Sequence, residues 1–122
     1  MSNTAGYKVH DGQSLTVTVP DGMTIQQGEF ALVEGIFGLC EGAPKTVSAG
    51  AADIELTVAP FVYSSDQVVT AEAMARGALL YFDSTARLLT VTASTNRVVG
   101  RVATAKDANN IVEFVLFGQR GA

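Results

Sequence analysis

The side chains able to do chemistry are few and scattered. The sequence holds one His, His10, and one Cys, Cys40. Zinc binding and acid–base catalysis both need such groups to converge, and a lone imidazole and a distant lone thiol supply neither a ligand set nor a nucleophile–base pair. Cys40 ends the apolar run Ile36-Phe37-Gly38-Leu39-Cys40, where an inert, buried thiol is expected, and it has no second Cys for an intrachain bridge. Ser14, Ser48, Ser64, Ser65, Ser84 and Ser94 stand outside any Gly-x-Ser-x-Gly elbow, so hydrolysis by an activated serine has no candidate.

Two further patterns fail on physical grounds. Gly38-Leu39-Cys40-Glu41-Gly42-Ala43-Pro44-Lys45-Thr46 ends like a phosphate-binding loop. Pro44, however, stands where a Gly must offer its amide to phosphate, so a hairpin turn explains the stretch better. Asp53 and Glu55 fall on one strand face about 7 Å apart by strand geometry, but that face is expected to be solvated. No Asp-x-Asp or His-x-x-x-His spacing gathers a metal, and no catalytic residue, metal or cofactor is expected. Arg87, Arg97 and Arg101 suggest a basic stripe, with Arg97 and Arg101 on one face by period. Aromatic residues do not interleave with them, so a salt-bridged or solvated face is expected and direct nucleic-acid binding is not.

The scaffold that would carry any site is a single domain. In 122 residues, 48% are hydrophobic and 16% charged, with no Trp and 12 Gly. A chain this long can bury about two-thirds of its surface, enough for an unstapled core. The net charge of -4 argues against a general phosphate-backbone binder. It also hides an asymmetry: residues 1–75 carry two basic and nine acidic groups, residues 76–122 six basic and three acidic. Pairing of oppositely charged strands within one monomer is the simpler reading, and head-to-tail contact between identical subunits the other. The first residues lack the apolar core of a signal peptide, and no apolar run approaches the length that spans a bilayer. Synthesis in the cytoplasm and no membrane contact are expected.

Residues 1–12 are polar and aperiodic, which predicts a flexible arm ahead of one domain over 13–122. Alternation then sets in, with Leu15, Val17 and Val19 against Ser14, Thr16 and Thr18, a half-buried strand ended by Pro20-Asp21-Gly22. Strands are also predicted over 29–33 and 36–40 around Glu34-Gly35, and over 53–58, 78–82, 87–92, 97–102 and 111–117. One short helix is predicted over 70–76, with Thr70 as cap, Glu72 and Arg76 complementing the dipole, and Gly77 as terminator. About eight short strands without a long helical pattern define an all-β protein, a small β-barrel or sandwich. The strand over 111–117 is apolar on both faces, with Val112, Phe114 and Leu116 on one and Ile111, Val115 and Phe117 on the other. Its outer face therefore needs cover from the arm, from loops or from another subunit.

The order of these elements resembles the small head decoration, or capsid cement, proteins of tailed phages and prophages. The resemblance rests on Gly12-Gln13-Ser14-Leu15-Thr16-Val17-Thr18-Val19-Pro20, Val33-Glu34-Gly35-Ile36-Phe37-Gly38 and Gly77-Ala78-Leu79-Leu80-Tyr81-Phe82-Asp83. Val98-Val99-Gly100-Arg101-Val102 and Val115-Leu116-Phe117-Gly118 complete it. These are glycine turns and strand cores, so their order and spacing carry the likeness. It implies a non-enzymatic virion protein on the outer surface of the expanded capsid, commonly a homotrimer, that stabilises the shell. On that reading Tyr7, Lys8 and His10 are expected to contact the major capsid protein. Arg97, Arg101, Phe114, Leu116 and Phe117 are expected at subunit contacts. The competing expectations are a small-ligand or oligonucleotide-binding β-barrel, with Tyr63, Tyr81 and Phe82 at its mouth, and a low-copy head or tail component.

Overall fold

The computed structural model describes residues 14–20, 22–41, 45–46 and 52–117, with 45–46 as backbone only. The predicted arm lies outside the described residues. Eleven strands and no helix occur among them: β1 (Ser14–Val19), β2 (Thr24–Ile25), β3 (Phe30–Val33), β4 (Ile36–Cys40), β5 (Lys45–Thr46), β6 (Ala52–Thr57), β7 (Val62–Ser65), β8 (Leu79–Asp83), β9 (Leu88–Thr90), β10 (Arg97–Thr104) and β11 (Val112–Leu116). They form a four-stranded sheet in the order β1-β6-β4-β3, a five-stranded sheet in the order β7-β11-β10-β8-β9, and a β2-β5 pair. The all-β expectation holds. The barrel does not, because no ladder closes on itself.

The β3–β4 hairpin joins the two halves of the core. Glu34 and Gly35 both have positive φ, 54° and 77°, which is the turn whose twist suits a two-residue hairpin. Both faces of this hairpin are apolar. Phe30 and Phe37, with Leu32 and Leu39, pack on the inner face of the five-stranded sheet, beside Leu80, Phe82, Val102, Phe114 and Leu116. Ala31, Val33 and Cys40 turn the other way, towards Val17, Val19, Ile54 and Leu56 of β1 and β6. The four-stranded sheet curls until Glu34 accepts the Thr18 N–H at 2.7 Å, a side chain bridging the gap between its edges. Cys40 is buried as expected.

Side chains tie the sheets together where backbone ladders end. The Gln67 amide accepts from Phe30 N–H at 2.8 Å and donates to the carbonyls of Phe30 and Arg87, each at 2.9 Å. It thereby serves the free edge of β3 as a strand would. Arg87 donates to the Thr24 carbonyl at 2.8 Å and pairs with Glu29 at 3.5 Å.

The predicted helix over 70–76 is absent, and residues 70–77 run as turns and bends. Seven residues are too few for a helix to outweigh tertiary bonds, and Glu72, expected to complement the N-terminal end of the dipole, is used elsewhere. Glu72 accepts from the Thr90 hydroxyl at 2.8 Å, the Val91 amide at 3.0 Å and the Thr92 hydroxyl at 2.8 Å. The Lys106 ammonium donates to the carbonyls of Thr70, at 2.6 Å, and Glu72. Gly77 does take the left-handed conformation, at φ 91°.

Burial pushes the Glu72 carboxyl up, but the Val91, Thr90 and Thr92 bonds and the Lys106 charge outweigh it and hold the carboxyl below its ordinary value of 4.5. A carboxyl depressed on folding contributes stability above its unfolded pKa, and that stability is lost as pH falls through the folded value. In urea titrations from about pH 7 down to about pH 3, the wild-type midpoint should fall more steeply below about pH 4.5 than that of Glu72→Gln. Parallel profiles would show that the bonded carboxylate contributes nothing.

Candidate functional site

The surface feature that stands out is an apolar row across the outer face of the five-stranded sheet. Register places Val62 of β7 opposite Val115 of β11, Val115 opposite Arg101 of β10, and Arg101 opposite Leu79 of β8. All four point outward: Val62 is 60% exposed, Leu79 37% and Val115 36%, and Arg101 is exposed as well. Phe61, 55% exposed, extends the row at its β7 end, and Ile111 lies further along the β11 side. Arg101 donates to the Gly77 carbonyl at 2.6 Å, which holds its guanidinium beside the row. Adjacent exposed apolar side chains with one cation among them suit contact with another protein surface better than contact with water.

The acidic half of the charge asymmetry shows on the four-stranded sheet, whereas the strands of the five-stranded sheet carry Arg97 and Arg101 against Asp83 and Glu113. None of the strands of the four-stranded sheet carries Lys or Arg, and Asp53 and Glu55 of β6 are exposed on its outer face. Asp53 accepts from the Thr18 hydroxyl at 2.9 Å, so the pair of carboxylates lies on a solvated face as expected.

The site residues named from sequence fall into three groups. Tyr7, Lys8 and His10 lie outside the described residues. Phe114 and Leu116 are buried in the core of their own chain, and so is Arg97, which donates to the Gly35 carbonyl of the β3–β4 turn. Those three side chains are therefore not on the surface of this chain. Arg101 is exposed and Phe117 half-buried. Arg97 and Arg101 do not share a face, because a bulge between Val98 and Gly100 places Arg97 opposite buried Phe82 and Arg101 opposite exposed Leu79. Phe61 and Val62 were not singled out by sequence, since Pro60 and Ser64-Ser65-Asp66 make that stretch read as loop. Their signal was adjacency: two large apolar residues between turn formers.

A polar cleft of about 480 Å³ also opens beside Glu72, lined by Asp83, Thr90, Thr92, Ser94 and Asn96 among others. It holds no imidazole or thiol, and among the described residues no group of three or more His, Cys, Asp and Glu side chains could hold a metal ion. The proposed aromatic mouth is not formed either. Phe82 is buried and Tyr63 turns inward, its ring 5.6 Å from that of Phe30 and its hydroxyl donating to the Ala59 carbonyl.

The described residues define an all-β protein of two main antiparallel sheets, with an exposed apolar row on the outer face of one of them. The chain matches the phage cement protein family over residues 9–117 and belongs to that family. No curated protein and no solved structure matches it. Membership gives it a structural, capsid-stabilising role in a bacteriophage.

Proposed function

We propose that this chain is a decoration protein that binds the outer surface of the expanded capsid and cements it against internal pressure. The observation that carries the reading is the family match, which runs through every described strand. The chain is made in the host bacterial cytoplasm and acts on the virion without enzymatic activity. Residues 1–12 form an arm, 13–122 the single domain. Tyr7, Lys8 and His10 contact the major capsid protein. Subunits associate as a homotrimer. The outer row, with Arg101, Val115 and Phe117, supplies one side of the subunit contact, and the acidic outer face of the four-stranded sheet of the next copy supplies the other.

The test is co-sedimentation of purified protein with shells of the source phage that lack it. Saturable binding to expanded shells, none to unexpanded procapsids, and greater heat resistance of the loaded shells are expected. Deleting residues 2–11 should abolish binding while leaving the far-UV spectrum unchanged. Retained binding would remove the arm from the contact. Failure of folded protein to bind either shell would shift the reading to a low-copy virion component.

A further inference from the structure

The connection from β7 to β8 runs beside β9 as a strap. Val68 bridges Leu89 in parallel, and Val69 N–H donates to the Leu89 carbonyl at 3.0 Å, which anchors the strap at its start. At its end Gly77 N–H donates to the Val102 carbonyl at 2.8 Å, and the Arg101 guanidinium donates to the Gly77 carbonyl. Between the anchors, residues 70–76 form neither helix nor strand. Among these, Met74 alone is buried, in the core cluster that also holds Leu80 and Leu89.

Among the described residues, every hydrogen bond that ties 70–76 to another element is made by the Glu72 carboxylate or by Lys106. The carboxylate takes the Thr90 and Thr92 hydroxyls and the Val91 amide. Lys106, on the connection from β10 to β11, donates its ammonium to the carbonyls of Thr70 and Glu72 and its amide to that of Met74, at 3.1 Å. The bonds from Glu72 N–H to Val69 and from Ala78 N–H to Ala75 are local turns. Opening this stretch therefore exposes one methionine and breaks two sets of bonds, while both core clusters and their ladders stay in place.

We infer that residues 70–76 open as a unit while the sheets stay folded, that the Glu72 carboxylate and Lys106 together form the latch, and that acid releases it. The inference goes beyond the capsid reading and does not depend on it. Burial raises the Glu72 carboxyl, but the Val91, Thr90 and Thr92 bonds and the Lys106 charge hold it below its ordinary value while the strap is closed. Closure is therefore favoured at neutral pH, and that advantage is lost as pH falls through the closed-state value. Asp83 lines the same cleft and accepts from the Thr85 and Ala86 amides, and Arg76 is exposed on the strap itself. Opening withdraws Glu72 from the wall of that cleft.

Amide exchange in the full chain, followed by NMR, tests the inference by reading each half of the latch at the other. In Glu72→Ala at about pH 7, the Lys106 amide, whose acceptor is Met74, should lose at least about tenfold of its protection. In Lys106→Met the Val91 amide, whose acceptor is Glu72, should lose as much. The Val102 amide donates to the Ala78 carbonyl at 2.9 Å just beyond the strap, and its protection should stay within about twofold in both variants. In the wild type, Lys106 protection relative to Val102 should fall between about pH 6 and about pH 3.5, and in Glu72→Ala it should not. The wild-type arm requires no variant to fold. Unchanged protection at the far half of the latch in both variants would overturn the inference. An equal loss at Val102 would overturn it too, by making the opening global, and a flat wild-type ratio would overturn release by acid.

Discussion

Gly100→Ala is expected to destabilise the chain by about 2–4 kcal/mol, read as a lower urea midpoint at unchanged slope. A Cβ at this position would lie 2.3 Å from the Val115 carbonyl oxygen and 3.0 Å from Cδ2 of Phe114. The carbonyl belongs to the neighbouring strand and takes part in the β10–β11 ladder, so it cannot turn aside as a flexible side chain does. Phe114 is fully buried and its ring is in contact with Phe30. Relief would require β11 to move away from β10 at the point where β10 is bulged against β8. Gly38 is confined in the same way, with the Thr57 carbonyl 2.7 Å from its would-be Cβ. Gly77 meets nothing within 4 Å, and its constraint is conformational only. Replacing it with Ala should cost about 1 kcal/mol, well below Gly100→Ala. If the two variants unfolded at the same midpoint, close approach would not be the reason for Gly100.

The contrast shows what the sequence reveals and what it hides. Alternation exposed β1 and β6 because one face of each meets the core and the other meets water. Glu34-Gly35 marked its hairpin because few dipeptides accept two positive φ values in succession. The bulges in β10 left no such trace. A period-2 reading therefore put Arg97 beside Arg101, although one extra residue turns Arg97 inward to Gly35. The region 70–76 misled for another reason: Thr70, Glu72, Arg76 and Gly77 are good helix punctuation, yet Glu72 and Lys106 are bonded to groups distant in sequence. Apolarity on both faces was legible in β11, but the two-sided burial of β3–β4 was not read from its sequence. It is β3–β4 that lies between two core clusters, and β11 exposes Val115. The candidate row was hidden because its members come from four strands, and only the register brings Val62, Val115, Arg101 and Leu79 into line.

Phe114 and Val115 are neighbours in sequence with opposite fates, and substituting each separates stability from assembly. Phe114 is fully buried, with ring centroids 5.2 Å from Phe30 and 6.2 Å from Tyr63. Phe114→Ala should therefore remove about 3–5 kcal/mol from the unfolding free energy of the isolated chain, through lost transfer energy and the cavity left between the sheets. Most of that loss should appear at any protein concentration, because it arises inside one chain. Val115→Ser leaves the core untouched and should cost about 1 kcal/mol or less, chiefly in strand preference. Its effect should instead appear in self-association and in loading of expanded shells, since it places a hydroxyl in the middle of the apolar row. Sedimentation velocity over a concentration series, paired with urea unfolding, reads both quantities on the same samples. A Phe114→Ala chain as stable as wild type would mean that β11 does not pack as described. A Val115→Ser chain that associates and binds shells like wild type would mean that the row faces solvent in the virion, and the contact would then have to be sought on the acidic face of the other sheet.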